Sequence, residues 1–191
     1  MFNNLLQFDV QATRFINEII PHNNFLDIFF SFFSLQGASF LVWVLVIILI
    51  IFIEEKGHPG IQKKDKLFLL VFFLSFLLAF VSSDVVLKNI FQRHRPPIKL
   101  ITQTYNLKPN TCPVDFSFPS THAVTAFASA GILASFDKKR KCFYYIIAIL
   151  ISFSRIYLGC HYLIDVIVGG LLGYYISNVL LLTKGMVYDK K

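Results

Sequence analysis

A histidine and an aspartate four residues apart form the strongest candidate for chemistry in the sequence. On a helix, the carboxylate of Asp165 can accept a hydrogen bond from one ring nitrogen of His161 and leave the other nitrogen free. This arrangement orients an imidazole as a nucleophile or base, although a His–Asp bond can also simply fasten two helices. Arg155 lies just before His161, and its guanidinium suits bidentate capture of phosphate oxygens. Ionisable groups in an apolar segment cost about 2.5–3.5 kcal/mol each, which favours the functional interpretation.

A second histidine follows a helix-start pattern. The segment Pro119-Ser120-Thr121-His122 comes directly before an apolar stretch. Ser120 or Thr121 can cap the first turn, and the free backbone N–H groups of a helix start bind anions such as phosphate. Capping alone explains the two hydroxyl residues, but it does not explain the imidazole of His122.

Lys88 and Arg95 are a candidate pair of phosphate-binding cations. They are seven residues apart, so they would project from one face two turns apart if the preceding apolar helix continues outward until Pro96 ends it. The alternative is that both are interfacial cations that extend towards water. Asp84, one turn before Lys88, could hold the ammonium group in place or form a plain i,i+4 pair.

The elements that must position these residues are apolar runs long enough to span a bilayer. The chain has 191 residues, of which 55% are hydrophobic, so one domain in lipid is expected. The sequence therefore predicts an all-α, polytopic membrane helix bundle with a single domain over 1–191. Its five predicted spans lie in 28–53 (crossing from about Gly37), 67–87, 118–136, 142–158 and 162–183.

The first 36 residues are predicted to form N-terminal amphipathic or interfacial helices, followed by a transmembrane catalytic bundle over 37–184. Apolar and polar residues alternate with helical spacing over 5–20, as expected for a helix lying in the membrane interface. A second short helix is predicted over 25–35. A sixth span in this region remains an open alternative.

The distribution of basic residues predicts the orientation of the bundle. Short loops rich in lysine and arginine face the cytoplasm, which also accounts for the net charge of +7 without nucleic-acid binding. The cytoplasmic groups are Lys56, Lys63, Lys64 and Lys66; Lys138, Lys139, Arg140 and Lys141; and Lys190 and Lys191. The segment 88–117 and the turn at Gly159 then face outward. The outer segment nevertheless carries five cations and one acid: Lys88, Arg93, Arg95, Lys99, Lys108 and Asp115.

The three cysteines, Cys112, Cys142 and Cys160, have no CxxC or CxxH spacing. The sequence therefore indicates neither a zinc site nor a disulfide framework, and we expect small packing residues. No carboxylate cluster suited to magnesium is evident either, so no metal and no cofactor is predicted.

Taken together and in this order, the motifs resemble the three-part signature of the type 2 phosphatidic acid phosphatase (PAP2) superfamily. The matching motifs are Lys88-x6-Arg95-Pro96, then Pro119-Ser120-Thr121-His122, then Ser154-Arg155-x5-His161-x3-Asp165. The family pattern usually has glycine where this chain has Thr121, which affects how closely that backbone amide can approach phosphate.

The resemblance implies a metal-independent phosphatase that works through a phosphohistidine. His161 would attack phosphorus, Asp165 would orient the ring, and His122 would protonate the leaving oxygen and then activate water. The groups expected to bind the phosphoryl oxygens are Lys88, Arg95, Ser120, Thr121 and Arg155.

The resemblance to small bacterial members also implies a substrate and a location. The expected partner is a membrane lipid phosphate, such as undecaprenyl diphosphate or phosphatidylglycerophosphate, at the periplasmic or extracellular face of a bacterial inner or plasma membrane. Alternatives are a lipid A phosphatase, a lipid-to-lipid phosphotransferase, or a non-catalytic scaffold or transporter that uses Gly169 and Gly173 to pack helices.

Overall fold

The computed structural model describes residues 2–34, 38–55, 63–97 and 112–183 of the chain, and every regular element in these ranges is helical. The helices are α1 (Phe2–Ile19), α2 (Asn24–Ser34), α3 (Ala38–Glu55), α4 (Lys63–Phe80), α5 (Lys88–Phe91), α6 (Thr121–Phe136), α7 (Lys141–Tyr157) and α8 (Leu163–Thr183). A π-helical segment, Val81–Leu87, joins α4 to α5. Of the residues used to predict orientation, Lys56, Lys99, Lys108, Lys190 and Lys191 lie outside the described residues.

The apolar surface of the bundle is that of a membrane protein. Two helical stretches, Leu67–Phe91 and Leu163–Leu182, are long and apolar enough to cross a bilayer. Large apolar side chains on several helices are exposed, among them Leu45, Phe73, Ile146 and Leu171. A soluble protein rarely exposes so much apolar surface. The predicted all-α membrane fold is therefore confirmed, whereas the count of five spans stays a prediction.

Helix α6 is the centre of the bundle and packs against α4, α7 and α8. It is rich in alanine and buried around most of its circumference, as expected for a helix surrounded by others. Two glycines of α8 permit its close approach. A Cβ at Gly169 would lie 2.9 Å from the carbonyl oxygen of Ser120, and one at Gly173 would lie 2.1 Å from that of Val124. The prediction that this glycine pair packs helices is confirmed.

The two ends of the bundle differ in charge. At one end, the basic turn Lys138–Arg140 joins α6 to α7, and Asp137 accepts hydrogen bonds from Arg140 and Tyr144. The start of α4 lies at this same end, because the rings of Phe68 and Phe136 are 5.0 Å apart. At the other end lie the starts of α6 and α8 and the end of α7, which bring the candidate catalytic residues together.

Helix α1 is amphipathic, as predicted, with its apolar face pointing away from the protein. Leu5, Phe8, Phe15 and Ile19 are exposed, while the polar side chains on the opposite face are buried. Such a helix can lie in the membrane interface, with its apolar face in lipid and its polar face on the bundle.

The end of the second predicted span differs from expectation. The helix stops at Phe91, because Gln92 adopts a left-handed conformation with φ 46° and its N–H bonds to the carbonyl oxygen of Lys88. The prediction that Arg95 lies on this helix, two turns beyond Lys88 and ended by Pro96, is wrong. Arg95 instead belongs to the segment after this helix, which has no regular secondary structure, and its side chain reaches Cys160 and His161.

Candidate active site

A tight turn between α7 and α8 presents His161. The turn follows the last residue of α7 and needs glycine at 159, where φ is 67°. The carbonyl oxygen of Arg155 accepts hydrogen bonds from the backbone N–H groups of Cys160, at 2.9 Å, and His161, at 3.2 Å. The turn is therefore closed by its own backbone, and the imidazole is fixed at the rim of the bundle.

The ring of His161 has one nitrogen held and the other directed at a cation. Nδ1 lies 2.7 Å from the carbonyl oxygen of Ser117 and 3.6 Å from Oδ2 of Asp165. Nε2 lies 2.9 Å from a terminal nitrogen of Arg95. Because a guanidinium can only donate, Nε2 must be the acceptor and Nδ1 must carry the proton. The nearer acceptor for Nδ1 is thus the Ser117 carbonyl, and the predicted partner, Asp165, lies farther from this nitrogen.

The imidazole of His161 is fully buried and held neutral. Burial lowers its pKa well below the usual value, and the positive charges of Arg95, Arg155 and Lys88 lower this pKa further. The lowered pKa favours the neutral ring, in which Nε2 keeps its lone pair. This is the state that a nitrogen nucleophile requires.

The carboxylate of Asp165 is buried and fully engaged. Oδ2 accepts from the backbone N–H of Tyr162 at 3.0 Å, and Oδ1 accepts from Arg93 at 2.5 Å. The Arg93 guanidinium also lies over the ring of Tyr162, 4.0 Å from its centroid, and pairs with Asp9 of α1 at 2.6 Å. An arginine that the sequence analysis counted only as an outer cation thus fixes the aspartate beside His161.

Lys88 and Arg95 converge on one acidic side chain, Asp115. Lys88 pairs with Oδ2 of Asp115, and Arg95 donates to Oδ1 at 2.5 Å. Lys88 also pairs with Asp84, four residues earlier, at 2.6 Å, a contact that fits both alternatives considered for Asp84. Arg95 donates in addition to the carbonyl oxygen of Cys160 at 2.7 Å. The two predicted phosphate-binding cations therefore meet although they do not share a helix.

The start of α6 closes the site on another side. Ser120 is the N-cap residue in backbone geometry, yet its buried hydroxyl caps nothing and has no hydrogen-bond partner among the described residues. The hydroxyl of Thr121 donates to Asp84 at 3.0 Å. The backbone N–H of Ser120 donates to the carbonyl oxygen of Asp165 at 3.0 Å. This hydrogen bond joins the first turn of α8 to the start of α6. His122 and His161 consequently lie at the same end of the bundle.

Arg155 is buried next to the His161 turn but directed at α2. One of its terminal nitrogens donates to the carbonyl oxygen of Ser34 at 3.0 Å and also contacts the Ser34 hydroxyl. Its Nε and its other terminal nitrogen have no partner among the described residues. Two donors of this guanidinium thus remain for an anion.

The comparisons with known proteins agree with this arrangement. A family model described as the PAP2 superfamily matches residues 66–188, which include all the predicted catalytic and phosphate-binding residues. The chain belongs to the PAP2 superfamily.

Relatives of this PAP2 chain include enzymes named for lipid phosphates. An undecaprenyl-diphosphatase of Sulfolobus acidocaldarius is 33% identical over 173 residues, covering 89% of this chain and 75% of the relative. The crystal structure of Aquifex aeolicus LpxE is 31% identical with a TM-score of 0.63, covering 90% of this chain and 93% of LpxE. A phosphatidylglycerolphosphate phosphatase of Bacillus subtilis, described as PAP2 type, is 26% identical with a TM-score of 0.62, covering 98% of this chain and 90% of the relative. The chain is therefore a PAP2-type lipid phosphatase.

The cysteine prediction needs correction for this PAP2 chain. Cys112 and Cys160 form a disulfide with a Cα–Cα distance of 5.3 Å, and only Cys142 is free. The pairing joins residues 48 apart, one in the segment before α6 and one in the turn that carries His161. No spacing pattern reveals such a bond, because it depends on which distant parts of the chain become neighbours after folding.

Three charged residues of the PAP2 site were missed as site residues: Asp9, Arg93 and Asp115. Asp115 and Arg93 carried a weak signal, since both lie in the outer segment whose charge departs from the positive-inside rule. Almost no signal in the sequence indicated that Asp9 belongs to the site. A single acid on an amphipathic helix is ordinarily a solvent-facing residue, and only the structure shows that it is fully buried.

Proposed function

We propose that this PAP2 chain hydrolyses a lipid phosphomonoester or diphosphate through a phosphohistidine on Nε2 of His161. The observation that supports this proposal best is the state of the ring. Nδ1 donates to the Ser117 carbonyl at 2.7 Å, so the lone pair of Nε2 is directed at the position where Arg95 now lies, 2.9 Å away. A phosphoryl group bound by Arg95 would therefore meet the nucleophilic nitrogen.

The reaction proceeds in two steps. In the first, Nε2 of His161 forms a bond to phosphorus while the bond from phosphorus to the leaving oxygen breaks, and His122 supplies a proton to that oxygen. For a diphosphate, the leaving group is the lipid monophosphate. In the second step, His122 takes a proton from water, the oxygen of water bonds to phosphorus, and the P–N bond breaks to release inorganic phosphate and restore His161.

The charge that develops on the equatorial oxygens is stabilised by fixed donors. Lys88 and Arg95 exchange their bonds with Asp115 for bonds with the phosphoryl group, so that Asp115 has to move aside when substrate binds. Three further groups complete the set: the hydroxyl of Ser120 and two nitrogens of Arg155, which have no partner within the described part of the chain, and the helix start at Thr121. These donors supply the electrostatic stabilisation without a metal ion, and we expect activity in the presence of a chelator.

The substrate that we favour is a polyprenyl or glycerolipid phosphate, with undecaprenyl diphosphate and phosphatidylglycerophosphate as the first candidates. The names of two relatives support this choice. The π-helical segment before Lys88 exposes Val85, and α5 exposes Ile90 and Phe91. A lipid tail can lie against these side chains in the bilayer while its phosphate reaches Lys88.

We place the site on the outer face of the membrane. The basic turn Lys138–Arg140 lies at the opposite end of the bundle from His161, as the positive-inside rule requires of a cytoplasmic turn. The disulfide between Cys112 and Cys160 supports the same orientation, because such bonds persist in oxidising compartments outside the cytoplasm.

A phosphate-release assay on purified protein tests the proposal. The panel comprises undecaprenyl diphosphate, phosphatidylglycerophosphate, phosphatidic acid and lipid A, each with chelator and without added metal. We expect release from at least one lipid by the wild type and none by His161→Ala, with equal membrane insertion. Full activity of His161→Ala would exclude the nucleophile, and transfer of label to an acceptor lipid instead of water would establish a phosphotransferase.

A further inference from the structure

Helix α1 carries a stripe of polar side chains on its buried face. Asp9, Thr13 and Asn17 are spaced by four residues and are 0%, 5% and 4% exposed. Burying three polar residues on one face is costly unless each has a partner. The partners lie at the end of α7 and the start of α8, on either side of the turn that carries His161.

Two of these side chains cap α8 from outside its own sequence. Oδ1 of Asp9 accepts from the backbone N–H of Ile164 at 2.9 Å, and the hydroxyl oxygen of Thr13 accepts from that of Leu163 at 2.9 Å. These donors belong to the first turn of a helix, where no intrahelical acceptor exists. Asn17 donates to the carbonyl oxygen of Ile156, before the turn, at 3.1 Å. Helix α1 therefore fixes both ends of the catalytic turn.

Asp9 has a second contact that Thr13 lacks. Its Oδ2 pairs with Arg93 at 2.6 Å, and Arg93 pairs with Oδ1 of Asp165 at 2.5 Å. Both carboxylates are fully buried, and the guanidinium is only 17% exposed. Two carboxylates thus share one guanidinium, and with both of them ionised this Asp9–Arg93–Asp165 cluster carries one net negative charge beside His161.

We propose that Asp9 is a positioning residue for the phosphohistidine chemistry, acting through Arg93 on Asp165; this inference rests on the proposed function. The imidazole gains positive charge when Nε2 bonds to phosphorus, and on its other side stand Lys88, Arg95 and Arg155. Without Asp9, the charges of Arg93 and Asp165 cancel, and the cationic ring loses its counter-charge. Asp9 therefore lowers the energy of the charged ring more than that of the neutral ring.

The comparison with the PAP2 family does not assign this role. The family match begins at residue 66, so α1 and Asp9 lie outside the matched segment. Asp9 touches no residue that we propose to bind phosphate, and its loss should therefore spare substrate binding. The expected consequence is a fall in kcat at nearly constant KM.

A pair of variants separates this role from simple helix capping. Asp9→Asn keeps an oxygen that can accept from Ile164 but loses the charge that faces Arg93. Thr13→Val removes the neighbouring cap at Leu163 and changes no charge. If Asp9 only capped α8, Asp9→Asn would reduce kcat no more than Thr13→Val does. If Asp9 instead supplies negative charge, Asp9→Asn must reduce kcat far more than Thr13→Val does.

The test is steady-state kinetics of phosphate release by the full-length protein in detergent, on the best lipid of the panel, with thermal unfolding measured in parallel. We expect kcat to fall about 10- to 100-fold in Asp9→Asn with KM changed by less than about twofold. Thr13→Val should keep kcat within about threefold of the wild type. Asp137→Asn, which removes a carboxylate at the opposite end of the bundle, is the matched control and should leave both constants unchanged.

Three results are decisive. Equal kcat in Asp9→Asn and Thr13→Val would overturn the role of Asp9 while leaving the phosphatase intact. A parallel loss of kcat and unfolding temperature in Asp9→Asn, larger than in Thr13→Val, would also overturn it in favour of a structural role. A wild type that releases no phosphate from any lipid would instead overturn the proposed function, and the role of Asp9 with it.

Discussion

At the scale of single residues, Asp115 is the carboxylate that pairs with the two proposed phosphate-binding cations, Lys88 and Arg95. Asp115 is desolvated by partial burial, which raises its pKa. The hydrogen bonds and charges of Lys88 and Arg95 outweigh this effect, and the pKa lies below its usual value. The side chain is therefore an anion, and under the proposed mechanism it competes with substrate for the same two cations.

Removing this charge should strengthen the binding of phosphate. We expect Asp115→Asn to lower the inhibition constant of inorganic phosphate about tenfold, because Lys88 and Arg95 no longer have to give up an ionic partner. The measurement is inhibition of lipid phosphate release by added phosphate. Asp27→Asn serves as control, since Asp27 bonds to Tyr157 and touches neither cation. An unchanged or weaker inhibition in Asp115→Asn would contradict a shared site.

The residues that sequence could and could not identify differ in the range of their contacts. Asp84 with Lys88 and His161 with Asp165 are four residues apart, and spacing alone predicted both pairs, although a backbone carbonyl is the closer partner of the imidazole. Arg93, in contrast, pairs with Asp9, which is 84 residues away in the sequence, and with Asp165, which is 72 residues away. Contacts of this range depend on how helices pack, and no local pattern in the sequence encodes them.

At the scale of helices, the site depends on the close approach of α6 and α8. Gly173 faces the carbonyl oxygen of Val124, a backbone atom that cannot rotate away, and an added Cβ would lie 2.1 Å from it. Gly169 makes a similar approach near Ser120, so the glycine pair sets the distance between the two helices that start at the active site.

Gly173→Ala should therefore separate α6 from α8. We expect a loss of stability of about 1–3 kcal/mol, measured by unfolding in detergent, because overpacking forces the backbones apart. Gly170→Ala is the matched control on the same helix, where the atoms nearest to an added Cβ belong to the ring of Phe127, a side chain, at 3.2 Å. We expect a smaller loss there. Equal stability of Gly173→Ala and the wild type would show that a methyl group fits between α6 and α8, and it would contradict the close approach of the two helices.

Apolar length and periodicity predicted most helices well but misjudged one helix end. The segments assigned to α1, α2, α6, α7 and α8 agree with the structure to within a few residues. The helix before Arg95 ends at Phe91 rather than at Pro96, because Gln92 turns left-handed. Glycine or asparagine usually marks such an end, and glutamine gives no comparable signal.

At the scale of the whole molecule, two independent features favour one orientation. Basic residues of the α6–α7 turn lie at one end of the bundle, and the disulfide and the proposed catalytic groups lie at the other. The sequence predicted the first from charge, but it could not predict the second because Cys112 and Cys160 become neighbours only after folding.

The cysteines themselves provide a test of this orientation. Cys142 is a free, exposed thiol next to the basic turn, whereas Cys112 and Cys160 are bonded. We expect a membrane-impermeant maleimide to leave Cys142 unlabelled in intact cells and to label it after the membrane is opened. After reduction, Cys112 should react from outside. Labelling of Cys142 in intact cells would place the site on the cytoplasmic face.

The most direct measurement is to trap the phosphoenzyme. Wild-type protein is mixed with a lipid substrate labelled in its phosphate, quenched at alkaline pH to preserve a phosphorus–nitrogen bond, and digested for peptide mapping. We expect label on Nε2 of His161, and none in His161→Asn. Turnover without label on His161, or label that persists in His161→Asn, would contradict the phosphohistidine mechanism.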